Sequence, residues 1–86
     1  MTVYVDHYRA TFRRLRLSHM IADTEEELDA MADRLGLKRT WKQTRKWIHY
    51  DICESNRRLA IRYGAISVTS RELILELQKG KQDGVE

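Results

Sequence analysis

Apolar residues recur along the chain at two periods, and the switches between them predict three units of strand followed by helix. Thr2–Asp6 is β-branched and aromatic and predicts the first strand. After a basic loop, Leu17–Ala22 reads as a short strand or an extended approach to a helix. Leu28, Met31, Ala32 and Leu35 then fall at steps of three and four, which is one stripe of a helix. Thr24 and Glu27 fit a capping box at its start, where the neighbouring acids also suit the helix dipole. Gly36 followed by Leu37 fits a Schellman stop at its end.

The second unit opens with Trp47–Cys53, which alternates as a strand should. Ile48, Tyr50 and Ile52 point one way, and Trp47, His49 and Asp51 point the other. Ser55 is the expected N-cap of a helix running to about Tyr63 and stopped by Gly64. In the third unit Ala65–Val68 is a short strand, and Thr69 with Glu72 repeats the capping box. Leu73, Ile74 and Leu77 supply the apolar stripe of a last helix ending near Gly80.

Strands alternating with helices predict an α/β fold, a small single domain over residues 1–79 with three to four mostly parallel strands and about three helices. The rival arrangement is α+β, with residues 15–21 antiparallel to the first strand. Residues 80–86 are polar and glycine-containing, the composition of a disordered tail. Eighty-six residues make one domain with room for one core and one shallow site. No apolar run reaches the length of a signal peptide or a membrane span. Cys53 is the one cysteine, so no internal disulfide forms, and the cytoplasm is the expected compartment.

The net charge of +3 matters less than its distribution. Arg9, Arg13, Arg14 and Arg16 form one basic cluster, and Arg34, Lys38, Arg39, Lys42, Arg45 and Lys46 a second. Between them lies the acidic block Asp23, Glu25, Glu26, Glu27, Asp29 and Asp33. Arg13, Arg14, Lys38, Arg39, Trp41, Lys42 and Arg45 are candidates for contact with nucleic acid, cations for phosphates and an aromatic for a base. The plainer alternative is a solvated connection whose tryptophans cover the core. Arg57, Arg58 and Arg62 read as an exposed helix face.

Ligands of parallel α/β sheets bind beyond the carboxyl ends of the strands. Applied here, that rule collects Asp6, His49, Asp51, Thr69 and Ser70, with His19 and Asp23 just before the first helix. His49 and Asp51 are two residues apart on a strand, hence on one face and about 7 Å apart. Asp6, His49 and Asp51 are the catalytic candidates, and Asp6, His19, His49 and Asp51 the metal-ligand candidates. Both His/Asp pairs also fit a plain role, on a solvated face or, for Asp23, in capping a helix.

These strings fall in a familiar order: Tyr4-Val5-Asp6, His19-Met20-Ile21-Ala22-Asp23-Thr24, Glu27-Leu28, Gly36-Leu37, Trp41, His49-Tyr50-Asp51, Arg57 and Gly64-Ala65. Over roughly residues 2–75 the chain resembles DUF4031, a domain-of-unknown-function family of small bacterial and phage proteins. The resemblance implies that Asp6, His19, Asp23, Trp41, His49, Tyr50, Asp51 and Arg57 sit at motif positions. Leu17 and Lys42 depart from the family pattern, and the cations between Lys38 and Lys46 are not part of it. The family carries no activity with it.

Three functions remain in competition. The first is a binding protein, phage-encoded or bacterial, for a phosphate-bearing ligand (nucleotide or nucleic acid) at the carboxyl edge of the sheet. Arg9, His19, Asp23, His49, Tyr50, Asp51 and Arg57 would form its site. The second is a phosphoesterase or nuclease using the His/Asp cluster with a divalent metal as cofactor. The third is a protein-interaction subunit whose His/Asp pairs lock the fold. No membrane partner is expected. Homo-oligomers are common for domains this small, although nothing in the sequence marks an interface.

Overall fold

The computed structural model describes residues 2–7, 10–12 and 15–84, with side chains for 2–7 and 16–79. The strands are β1 (Val3–Val5), β2 (Ala10–Phe12), β3 (Leu15–Ala22), β4 (Tyr50–Cys53) and β5 (Ile66–Ser67). The helices are α1 (Glu25–Leu35), α2 (Glu54–Arg62) and α3 (Ser70–Gly84), with a 3-10 turn at Arg39–Trp41. The long strand β3 is the axis of the sheet. β1 and β2 pair antiparallel with successive stretches of one edge, and β4 pairs antiparallel with the other. Met20 shows the arrangement, since it faces Val5 on one side and Tyr50 on the other. β5 extends the sheet beyond β1, the one parallel pairing among the described residues.

The expectation of mostly parallel strands is therefore overturned, and the rival pairing of residues 15–21 with the first strand holds. Two local features explain the difference. The chain after β1 does not cross over; it runs on in the same direction as β2 and turns back as β3, a hairpin-like path that pairs antiparallel. The connection after α1 then climbs back along that helix instead of feeding the next strand from its far end. Arg39 donates to Asp33 near the end of α1, at 3.3 and 2.9 Å. Lys42 donates to Asp29 at 3.1 and 3.0 Å and to Glu25 near its start. Having returned one helix length, the chain enters β4 in the direction opposite to β3. Arg39 and Lys42 of the second basic cluster are thus matched to Glu25, Asp29 and Asp33 of the acidic block.

Alternation divides the sheet into two faces. Val3, Val5, Met20, Tyr50 and Ile52 pack against Leu28, Met31, Ala32 and Leu35 of α1 and Ala60 of α2 in one core. Tyr4, Leu17, His19, Ile21 and Asp51 have the opposite parity. On that side Ile74 and Leu77 of α3 line a groove with Tyr4, Ile21 and Trp47. α3 runs four residues past Gly80, through a stretch whose composition reads as tail. Among the described residues no helix is long and apolar enough to cross a membrane.

The capping box at Thr69 and Glu72 forms in full, and at Thr24 the hydroxyl caps the helix while also donating to the Glu27 carboxylate at 2.9 Å. Thr24 Oγ1 accepts from the Glu27 backbone N–H at 3.2 Å. Glu72 N–H donates to Thr69 Oγ1 at 3.1 Å while Thr69 N–H donates to the Glu72 carboxylate at 2.8 Å. α2 begins at Glu54, one residue before Ser55, with Cys53 as its N-cap and no side-chain cap bond. Gly36 ends α1 in the left-handed region at φ 77°, and the next N–H, that of Leu37, donates back to Ala32 O at 2.9 Å. A Cβ at Gly36 would meet nothing within 4 Å, so the strain of Gly36→Ala is backbone strain alone. The expected cost is about 1–2 kcal/mol, read as a lower denaturant midpoint at unchanged slope.

Candidate metal centre on the second face of the sheet

The HYD motif divides between the two faces. Tyr50 points into the core, where its hydroxyl donates to Asp29 Oδ1 at 2.9 Å. Burial, reinforced by the Asp29 carboxylate, pushes the phenol up to about 12. Burial alone would raise the Asp29 carboxyl. Hydrogen bonds from Lys42 and Tyr50, with the Lys42 and Arg39 charges, outweigh it and bring Asp29 below its ordinary value. A depressed carboxyl contributes stability that is present above the unfolded value of about 3.9 and lost as pH falls through the folded value. Asp29→Asn is therefore expected to flatten the acid limb of the stability profile below about pH 4, measured by denaturant melts across pH.

His49 and Asp51 face the other way and meet His19. The register places His19 directly opposite Asp51, and an isolated bridge with Gln43 holds His49 beside them. His49 Nε2 lies 3.5 Å and His19 Nε2 3.9 Å from the same oxygen, Asp51 Oδ1. Gln43 Nε2 donates to the second oxygen of Asp51 at 2.6 Å. One donor atom from each of His19, His49 and Asp51 can be chosen so that all lie within 4.8 Å of one another.

Each imidazole is oriented from behind. Asp6 is fully buried at the end of β1, and its carboxylate takes His19 twice: from the backbone N–H at 2.8 Å and from ring Nδ1 at 2.8 Å. Carboxylate oxygens only accept, so Nδ1 carries the proton and Nε2 is the ring's ligating atom. That hydrogen bond, opposed by burial and assisted by the Asp6 and Asp51 charges, holds His19 above its ordinary value. His49 Nδ1 lies 3.3 Å from the Trp47 carbonyl, which likewise leaves Nε2 towards Asp51. Burial brings His49 below its ordinary value. The Trp47 ring stacks on His49 with centroids 3.8 Å apart and stands 5.1 Å from the His19 ring, so one side of the cluster is walled by indole.

Asp6 also explains why β1 ends where it does. Its N–H donates to His19 O at 3.1 Å, as the ladder requires. The reciprocal bond from His19 N–H goes to the Asp6 side chain, which releases the Asp6 carbonyl to accept from Arg57 Nε at 2.8 Å. Ser70 at the start of α3 reaches the same carboxylate at 3.4 Å.

The sequence model of DUF4031, a protein family of unknown function, matches residues 3–80. The chain belongs to DUF4031. No curated protein and no solved structure matches it. Among the motif residues of this DUF4031 chain, Asp6, His19, His49 and Asp51 come together on the second face, with Arg57 behind Asp6. They meet on the sheet surface rather than beyond a parallel edge, because antiparallel pairing brings the middle of β3 beside β4. Asp23 stands apart, exposed beside α1 and lining the groove. Thr69 is occupied in capping α3.

The nucleic-acid candidates are scattered. Arg39 and Lys42 pair with α1, Lys38 lies over the 54% exposed Trp41 ring at 5.7 Å, and Arg45 is exposed. Arg9, Arg13 and Arg14 lie outside the described residues. Arg57, expected on an exposed helix face, is buried. Residues without a prior signal also reach the site: Gln43, which steadies Asp51, and His7 and Ser67, which meet Arg57.

Proposed function

We propose that this DUF4031 protein holds a divalent cation through His19 Nε2, His49 Nε2 and Asp51 and uses it to hydrolyse a phosphate ester. The observation that carries the reading is the convergence of two imidazole nitrogens on one carboxylate oxygen, each ring oriented by an acceptor at its Nδ1. Carboxylate–histidine–metal relays of the Asp6–His19 kind set the tautomer and raise ligand basicity. Two imidazoles and a carboxylate leave positions open for water and substrate, as catalytic sites of zinc, manganese or iron do. Ligand atoms around a tetrahedral ion are about 3.4 Å apart, so the set closes with side-chain movements of roughly an ångström.

A divalent ion there supplies a water nucleophile near neutral pH and a Lewis acid for the phosphoryl oxygen. The residues supply the rest. Asp6 and the Trp47 carbonyl hold the rings, Gln43 fixes the orientation of Asp51, and the Trp47 indole excludes water from one side. In hydrolysis a new P–O bond forms from water, the ester P–O bond breaks, and the leaving oxygen takes up a proton.

With manganese and an activated phosphodiester such as bis(p-nitrophenyl) phosphate, turnover is expected to fall at least about 100-fold on chelation or in Asp51→Asn, since even partners behind a ligand are worth 10–100-fold. Turnover indifferent to both contradicts the enzyme. Metal binding without turnover reduces the chain to a binding protein for such a ligand.

A further inference from the structure

Arg57 is a cation nine-tenths buried whose hydrogen-bond acceptors are all uncharged. Nε donates to the Asp6 carbonyl, and NH2 donates to Ser67 Oγ at 2.7 Å and to His7 Nδ1 at 2.9 Å. The nearest carboxylate among the described residues, that of Glu54, is 3.9 Å from NH1 and beyond hydrogen-bond reach. Buried charges are ordinarily matched by a bonded counter-charge. Here the ring of polar groups around the guanidinium is neutral and opens outwards, since His7 and Ser67 are both exposed.

The proton positions follow from the partners. Arginine only donates, and NH2 lies 2.9 Å from His7 Nδ1 and 3.4 Å from Nε2, so the nearer nitrogen, Nδ1, is taken as the acceptor and the ring proton is placed on Nε2. Nε2 is 3.1 Å from Ser67 Oγ and donates to it. Ser67 Oγ thus receives two hydrogen bonds, one from Arg57 and one from His7, and its own O–H is directed away from both. His7 cannot take the serine proton in this arrangement, so the trio is not a nucleophile with its base. What it offers outwards is the Ser67 hydroxyl as a donor, backed by the fixed positive charge of Arg57, and a donor beside a cation is the chemistry of an anion site.

We infer that Arg57, His7 and Ser67 form a phosphate subsite next to the metal centre, the two being joined through Asp6. Its carbonyl holds the arginine and its carboxylate holds His19. The subsite takes a phosphate group of the ligand on which the metal acts. That last assignment rests on the metal reading, whereas the anion site itself does not.

Inorganic phosphate titrated calorimetrically into metal-free protein tests the inference. Binding is expected in the wild type, weakened about fivefold in Ser67→Ala by the loss of one hydrogen bond, and weakened further by salt. Ser67→Ala also takes an acceptor from the buried Arg57, so its affinity is compared at a temperature where its melt shows it folded. Arg57→Lys, which keeps a charge and loses the fork, is a second variant and is expected to bind less where its melt shows it folded. Asp51→Asn is expected to bind phosphate as the wild type does. Equal affinities in wild type, Ser67→Ala and folded Arg57→Lys overturn the subsite. So does binding that appears only with manganese and disappears in Asp51→Asn; phosphate then rides on the ion and the metal centre stands alone. Metal-independent binding that Ser67→Ala weakens, in a protein that takes up no manganese, upholds the subsite and removes the metal reading. If ester and subsite share one ligand, Ser67→Ala also raises the KM of the phosphodiester; an unchanged KM assigns the subsite to free phosphate.

Discussion

Asp6→Ala is expected to lower stability by about 3–5 kcal/mol, the range for removing one partner of a buried charged pair. For a chain of 86 residues that is a large share of the total, roughly 4–13 kcal/mol at the usual stability per residue. The cost has identifiable sources. The His19 N–H loses the side-chain oxygen that stands in for its ladder acceptor, the His19 ring loses the carboxylate behind it, and Ser70 loses its contact with that carboxylate at the start of α3. Chemical denaturation measures the effect, and a loss below about 1 kcal/mol would mean that the carboxylate is not structural. Asp6→Asn separates the two roles of this residue. The amide retains an acceptor for the His19 N–H, so the protein folds, but it removes the charge behind the imidazole. Affinity for a divalent ion is then expected to fall 10–100-fold in a folded protein.

The second large effect belongs to Asp51. Asp51→Asn is expected to leave stability within about 0.5 kcal/mol, because the side chain is one-third exposed and an amide oxygen can still accept from Gln43. Metal affinity is expected to drop at least about 100-fold, more than the loss of a partner behind a ligand costs. Manganese or zinc binding followed by calorimetry, alongside a thermal melt, reads both. A variant that melts early and still binds metal reverses the assignment and makes Asp51 a structural residue.

Much of this site was legible in the chain. Alternation in Trp47–Cys53 put Trp47, His49 and Asp51 on one face and Ile48, Tyr50 and Ile52 on the other; the structure keeps that division from His49 to Ile52, but the strand begins at Tyr50 and Ile48 is exposed, lining the groove with Trp47. The stripe Leu28, Met31, Ala32 and Leu35 and the capping residues Thr24, Gly36 and Thr69 are local features, and each appears where its spacing places it.

What was not legible depends on contacts distant in sequence. Strand direction turned on whether the chain after α1 crosses over or doubles back. The pairs of Arg39 and Lys42 with Asp33, Asp29 and Glu25 line the returning path along α1, and charge blocks alone do not reveal such pairing. Those same pairs draw two of the basic stretch's cations into the fold. Asp6 and His19 are 13 residues apart, and only the register of β1 with β3 brings them together. His7 and Ser67 are 60 residues apart and carried no pattern at all. Arg57 had the spacing of a surface residue and is buried, with its Nε bonded to the Asp6 carbonyl 51 residues away.

Cobalt(II) is the most direct probe of the metal centre, since its visible absorption reports ligand type and coordination number. Titrated into the wild-type protein at neutral pH, it is expected to saturate at one equivalent and to give the d–d bands of a low-coordinate nitrogen- and oxygen-ligated site, absent in Asp51→Asn. A spectrum indistinguishable from that of hydrated cobalt, with no saturation at one equivalent, would show that His19, His49 and Asp51 do not hold a metal, and the account of their arrangement would be wrong.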